Sequence, residues 1–287
     1  MTDSAPKRPD AKALLAPVED IARQAGAAIM RYYNGEADAD ITIKNDGSEV
    51  TAADLASERI ILPALKKLAP DIPIVSEERV AGGETPDVSG GTFWTVDPLD
   101  GTKEFINRTG AFVVAISLVV DNKPVLGVIY HPAMGLMYSA AGAGTATKVD
   151  KTGKRTPIGK TAKDDDDGDL RVLVNEKHAN VRHIKGWLSE QFGRAARIDP
   201  KSGILRACQV AEGLADMSVY ESNKHEGRTS WWDIAPGHAL IEAAGGKVET
   251  LDGKPVLYKD ADLRVPPHAA FAPHHKKKPA SGTDPQP

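Results

Sequence analysis

The chain has 287 residues and a formal net charge of −4, with 41% hydrophobic and 26% charged residues. That balance supports a substantial core, and it argues against a disordered chain or a polybasic protein built to bind nucleic acid or acidic membranes. The lone cysteine, Cys208, excludes an internal disulfide, suits a reducing compartment and reads as a core thiol on a helix. Residues 1–10 are polar and proline-bearing, unlike a secretion signal. The longest apolar run, Ala111 to Val120, is far shorter than the ~20 residues needed to cross a bilayer. A soluble, cytosolic protein without a transmembrane segment is the expectation, with peripheral association at the inner membrane as the alternative.

Val18, Ile21, Ala22, Ala25, Ile29 and Tyr32 recur at helical spacing, predicting an amphipathic helix that ends near Asn34-Gly35. A short strand follows from Ile41 to Lys44, then a helix opened by Thr51, with Asp54 at its third position, reaching about Leu68. Ile72 to Ser76 and Thr92 to Val96 read as strands. Phe112 to Val120, Val125 to Tyr130 and Leu136 to Ser139 read as an antiparallel set, with turns at Asp121-Asn122 and Pro132 to Gly135.

The polar, acidic stretch Gly159 to Asp169 divides an N-terminal α+β half (11–160) from a C-terminal α/β half (170–272). The second half begins with a strand, Leu170 to Val174, and helices over Val181 to Phe192 and Ile204 to Leu214. A strand over Met217 to Tyr220, a helix over Asp233 to Ala244 stopped by Gly245-Gly246, and a strand over Lys247 to Glu249 complete it. From Pro273 onward (273–287), His274-His275, three lysines and small polar residues predict a disordered tail. Such a mixture implies a layered α/β fold in which helices cover sheets.

Chemistry concentrates in Trp94-Thr95-Val96-Asp97-Pro98-Leu99-Asp100-Gly101-Thr102-Lys103-Glu104-Phe105. A buried strand delivers Asp97, Pro98 stiffens the approach, and Asp100 follows at i+3, so both carboxylates can point at one spot. Gly101 permits a tight turn into a short helix from Thr102, whose first amides are natural phosphate donors. A hard divalent cation wants more oxygens than two acids offer. Ser76-Glu77-Glu78, Thr51-Ala52-Ala53-Asp54 and Trp232-Asp233-Ile234-Ala235-Pro236-Gly237 each place an acid at an element terminus. Singly, each has a plain reading: a turn, a capping box for Asp54, an N-cap for Asp233, a solvated pair for Glu77-Glu78. Their joint occurrence points to a metal site.

These four signatures, in order between about residues 15 and 258, resemble those of the inositol-monophosphatase superfamily, lithium-sensitive, magnesium-dependent phosphomonoesterases. The resemblance implies an αβαβα sandwich and two or three magnesium ions per site. It implies that Glu77, Asp97 and the Leu99 carbonyl hold one ion, that Asp97, Asp100 and Asp233 hold a second, and that Glu77 serves a third. Asp54 would accept a hydrogen bond from Thr102, whose hydroxyl orients the attacking water, and the Gly101 and Thr102 amides would receive the phosphate. Asp54, Thr102 and Glu77 are the implied catalytic residues.

Asp-Gly-Thr-Lys-Glu-Phe, residues 100–105, is similar to the 3′(2′),5′-bisphosphate nucleotidase branch, as are Val125 to Tyr130, Met137 to Ala141 and Pro236 to Ala239. The implied substrate is a small nucleotide, adenosine 3′,5′-bisphosphate, cleaved to AMP and phosphate in the setting of sulfur metabolism. An inositol or sugar phosphatase is the alternative. A non-catalytic metabolite-binding relative would be expected to lack a metal acid or Thr102, and all are kept. The substrate half departs from the pattern: Asn175-Glu176-Lys177-His178 keeps only the histidine, Arg206 stands in a lysine's place, Tyr220 replaces an arginine, and 223–229 is longer and more charged. Lys103, His178 and Arg206, with Lys224 and Arg228, are the substrate-side candidates. Asp164 to Asp167 reads as an exposed acidic loop. A homodimer is in keeping with the resemblance.

Overall fold

The computed structural model describes residues 8–43, 49–159, 169–175, 181–193, 195–201, 203–221 and 229–274. The expected loop Asp164 to Asp167, the candidates His178, Lys224 and Arg228, and the tail beyond His274 lie outside these residues.

Helix α1 (Ala11–Tyr33) starts on an Asp10 cap that accepts from the amides of Lys12 and Ala13, and it buries the predicted stripe Val18, Ile21, Ala22, Ala25 and Ile29. A small hairpin, β1 (Ile41–Ile43) and β2 (Glu49–Thr51), leads into α2 (Ala52–Leu68). Strand β3 (Ile74–Ser76) runs directly into α3 (Glu77–Ala81), a helix of one turn that periodicity does not reveal. Strand β4 (Phe93–Asp100) extends beyond the expected Val96 to carry the whole acidic motif and meets α4 (Thr102–Ile106). The antiparallel set follows as β5 (Val113–Val120), β6 (Lys123–His131) and β7 (Leu136–Ala141), continued by β8 (Thr147–Val149) and β9 (Arg155–Pro157). Together β3 to β9 form a seven-stranded sheet in sequence order, parallel only between β3 and β4.

The second sheet contains β10 (Leu170–Val174), which is followed by α5 (Val181–Phe192) and then β11 (Ala196–Pro200). Helix α6 (Leu205–Ala211) precedes β12 (Met217–Tyr220), and β13 (Thr229–Ser230) precedes α7 (Trp231–Ala244). Strands β14 (Lys247–Thr250), β15 (Arg264–Val265) and β16 (His268–Phe271) close the chain. The five strands are ordered β11-β10-β12-β16-β14, with β13 and β15 paired separately. Helix α6 stops at Ala211 rather than Leu214, where Gly213 at φ +73° leaves the helical region. The tail is tied down for its first two residues, since His274 Nε2 lies 3.0 Å from Asp216 Oδ1.

Alternate residues of β5 enter different cores. Val114, Ile116, Leu118 and Val120 pack under α1 and α2, whereas Val113, Ala115 and Val119 face α6 and α7. With both faces covered, the strand reads as unbroken apolar sequence instead of alternating. On the second sheet, Leu173, Tyr220 and Ala270 share that middle core. Val172, Met217, Val219 and Phe271 turn the other way, onto Ile184, Leu188 and Phe192 of α5. The layers therefore run helix, sheet, helix, sheet, helix: the expected αβαβα sandwich. Helix α7 lies so close to the first sheet that a Cβ at Gly127 of β6 would strike the Pro236 carbonyl.

Candidate metal and phosphate site

The site grows from the end of β4. Pro98 has no amide to give the ladder, and the pairing slips there: Asp97 faces Ala115 and Asp100 faces Val113, three steps on β4 against two on β5. Residues three apart on an unbroken strand point to opposite faces, so the extra residue of this bulge turns Asp100 back toward the side of Asp97. The bulge is pinned on both sides. Ser57 of α2 donates to the Pro98 carbonyl at 2.7 Å, and the Leu99 amide donates to Asp97 Oδ1 at 3.0 Å. Gly101 then takes φ +95°, and any Cβ there would also sit 2.8 Å from the Ala111 carbonyl oxygen, so only glycine turns the chain into α4.

Two further acids arrive on helix starts. Ser76 pairs with Val96, so Glu77, opening α3, emerges beside Asp97. Asp233 lies in the first turn of α7, a helix seated by Trp231 stacking on Phe93 of β4 at 4.9 Å. Carboxylate oxygens of Glu77, Asp97 and Asp233 lie within 4.8 Å of one another. Burial first, then the Glu77 charge, push Asp97 and Asp233 well above the usual carboxylate range. Asp100 stands beside these three rather than among them. Its Oδ2 accepts from the Ile204 amide at 2.7 Å, and burial with the Glu77 charge raises it to about 6 against the pull of that amide. A Cβ on Gly203, at φ +68°, would meet the same oxygen at 2.7 Å. Crowded, desolvated carboxylates are unfavourable unless a cation joins them, and an all-oxygen donor set suits magnesium. The residues present fit such an ion.

Next to the acids, Thr102 Oγ1 donates to Asp54 Oδ1 at 3.2 Å and lies 3.4 Å from the Leu99 carbonyl oxygen. The other Asp54 oxygen accepts from Thr51, both amide (2.8 Å) and hydroxyl (2.7 Å). Asp54 thus caps α2 and holds Thr102 at once, and the cap fixes the carboxylate that Thr102 needs. Lys103 is exposed on α4. Arg206, a substrate-side candidate from the sequence, is only 6% exposed: the fork donates to the Gly203 and Val219 carbonyls and lies over the Tyr220 ring, with Asp100 and Asp233 in electrostatic reach. The cause is its place on α6 between the two sheets. Ser57 and Ile204 escaped sequence reasoning. Ser57, three residues after Asp54 on the same helical face, could have been found; a backbone amide could not.

Residues 10–280 match the inositol monophosphatase family. The chain belongs to that family, and its class is that of a phosphoric monoester hydrolase. A relative from Shigella flexneri, the 3'(2'),5'-bisphosphate nucleotidase CysQ, is 42% identical over 245 residues, 85% of this chain and 94% of that one. Among solved structures, CysQ from Bacteroides thetaiotaomicron superimposes with TM-score 0.71 at 28% identity, over 93% of this chain and 98% of that one. The inositol monophosphatase from Anabaena gives 0.63, also at 28%, over 91% and 90%. The matched span contains all the segments whose side chains meet around the end of β4. No helix among the described residues is long and apolar enough to cross a membrane.

Proposed function

We propose that the protein is a magnesium-dependent, cytoplasmic phosphatase that removes the 3′-phosphate of adenosine 3′,5′-bisphosphate, yielding AMP and phosphate. The observation that carries this is the convergence of Glu77, Asp97 and Asp233 oxygens within 4.8 Å beside the Thr102–Asp54 pair. Glu77, Asp97, Asp233, Asp100 and the Leu99 carbonyl would hold two or three ions. Bound magnesium would offset the phosphate charge and make water more acidic. Phosphoryl transfer asks chiefly for position and charge, so no cysteine or histidine nucleophile is required. Cys208 does not offer one, because burial pushes its thiol well above the ordinary range.

The chain's own groups then have separate tasks. The Thr102 proton is committed to Asp54, which leaves the Oγ1 lone pairs to accept from the attacking water. As the water proton passes to Oγ1, the hydroxyl proton moves to Asp54, the water oxygen bonds phosphorus, and the bond from phosphorus to the 3′ oxygen breaks, that oxygen taking a proton from solvent. Glu77 accepts the water's second hydrogen bond and so helps aim it. The Gly101 and Thr102 amides take the phosphate oxygens, and Lys103 and His178 serve the phosphate side.

The substrate reading rests on the 100–105 run and on relatives that carry the nucleotidase name. The inositol phosphatase reading has the Anabaena structure in its favour, at the same 28% identity as the Bacteroides one. Phosphate release from adenosine 3′,5′-bisphosphate, inositol 1-phosphate and fructose 1,6-bisphosphate, measured in parallel with magnesium, separates them. The bisphosphate should lead in kcat/KM by roughly tenfold or more, with lithium chloride inhibiting more than potassium chloride. A faster inositol 1-phosphate reaction overturns the nucleotidase assignment.

A further inference from the structure

Arg206 is a buried cation with an unusual support. Its guanidinium carbon lies 4.2 Å from the centroid of Tyr220, and that ring in turn stacks on His268 at 4.7 Å and 7° between planes. Tyr220 and His268 are cross-strand partners on β12 and β16, so the sheet itself sets this column. His268 is fully buried, its Nδ1 lies 2.8 Å from the Pro266 carbonyl oxygen, and burial holds its pKa down at about 3. It is therefore neutral at physiological pH and adds no second cation behind the ring.

The other end of the column reaches Asp100. Arg206 Nε donates to the Gly203 carbonyl at 3.3 Å and Nη1 to the Val219 carbonyl at 3.3 Å, fastening the 203–204 turn to β12. The amide that follows, Ile204 N, is the one that clamps Asp100 Oδ2 at 2.7 Å. Gly203 leaves no space between that turn and the carboxylate. Asp100 and Asp233 are also the acids whose charge Arg206 feels.

We propose that Arg206 is a positioning residue for the metal site: stacked on Tyr220, it locks the Gly203–Ile204 turn that orients Asp100, and it does not touch substrate. The inference rests on the metal-site reading above and deepens it. It explains why an arginine with tyrosine beneath it works here: the flat guanidinium stacks on the ring while its rigid fork bonds two carbonyls, whereas a lysine ammonium has neither a plane nor a fixed fork.

The test is calorimetric titration of the metal-free enzyme with magnesium chloride, alongside steady-state kinetics. Arg206→Met should weaken magnesium binding about 10–100-fold, as loss of a support behind a metal ligand does. Arg206→Lys should fall between this variant and the wild type. Tyr220→Leu, which leaves the arginine but removes its platform, should shift affinity in the same direction and keeps the question answerable if Arg206→Met does not fold. At saturating magnesium, KM for adenosine 3′,5′-bisphosphate and for adenosine 3′-monophosphate should move by the same factor. Wild-type magnesium affinity in Arg206→Met, or a KM rise confined to the bisphosphate, overturns the proposal, the latter making Arg206 a contact for the second phosphate. Failure of the wild type to hydrolyse any of these esters would strike the functional reading alone, since the calorimetry needs no substrate.

Discussion

Asp97 is the residue on which the site turns, because it is 2% exposed and crowded by Glu77, Asp100, Asp233 and Asp54. Without a cation its negative charge is a burden on the fold. Asp97→Asn keeps the shape and removes that charge, so the metal-free variant should melt at or above the wild-type temperature. Turnover should fall on the order of a thousandfold, because the loss removes a ligand on which charge stabilisation depends. Thermal melts and phosphate release check the two halves separately, and near-normal turnover would refute the metal assignment. At this scale the acids were readable because Asp97 and Asp100 sit in a Pro-Gly-Thr motif and Asp54, Glu77 and Asp233 lie in first turns of helices. Their orienting partners were not. Ile204 contributes only an amide, which every non-proline residue owns, and the burial of Arg206 against Tyr220 is invisible in the sequence.

Among the elements, β4 and α7 decide the geometry. The sequence reading ended this strand at Val96, before Pro98, so the bulge there, which returns Asp100 to the Asp97 side, needed the register with β5. The seat of α7 depends on a bare backbone at Gly127, where β6 meets the Pro236 carbonyl. Gly127→Ala should therefore cost about 1–3 kcal/mol of stability, since backbone rather than a movable side chain must give way. Urea unfolding should show a lower midpoint with an unchanged slope; an unaltered midpoint would mean the layers slide apart freely. Long elements announced themselves, α1 and β5 through periodicity or a continuous apolar run, α2 and α7 through the residues that start or stop a helix. Strands β8, β9 and β11 did not, being three to five residues long and charged or proline-bearing at sheet margins, and β16 is four residues with two alanines.

Across the whole molecule, one polar knot ties the first helix to the far edge of the first sheet. Glu19 of α1 is 3% exposed and accepts from both arms of Arg155 on β9, at 2.9 and 2.6 Å, and from Ser139 of β7. Burial alone would raise its pKa, but the Arg155 and Ser139 hydrogen bonds carry it below the usual 4.5. A depressed carboxylate stabilises the fold above its unfolded pKa and loses that contribution as pH falls through the folded value. Stability should accordingly decline as pH drops below about 4.5, and Glu19→Gln should flatten that part of the curve. At pH 7 the same substitution should cost about 2 kcal/mol, less than a fully buried pair because Arg155 keeps 44% of its side chain exposed. Melting curves from pH 3 to 8 compare the two proteins. No local pattern could have paired these residues, which lie 136 positions apart.

By itself the sequence determined the kinds of element, the layered class and the list of acids, because helical periodicity, apolar runs and turn residues are local properties of a chain. Tertiary structure alone decided which oxygens meet, which side of β4 Asp100 takes, and that Arg206 lies buried against Tyr220. Those are matters of register, burial and backbone amides, which arise only when distant segments are packed against one another.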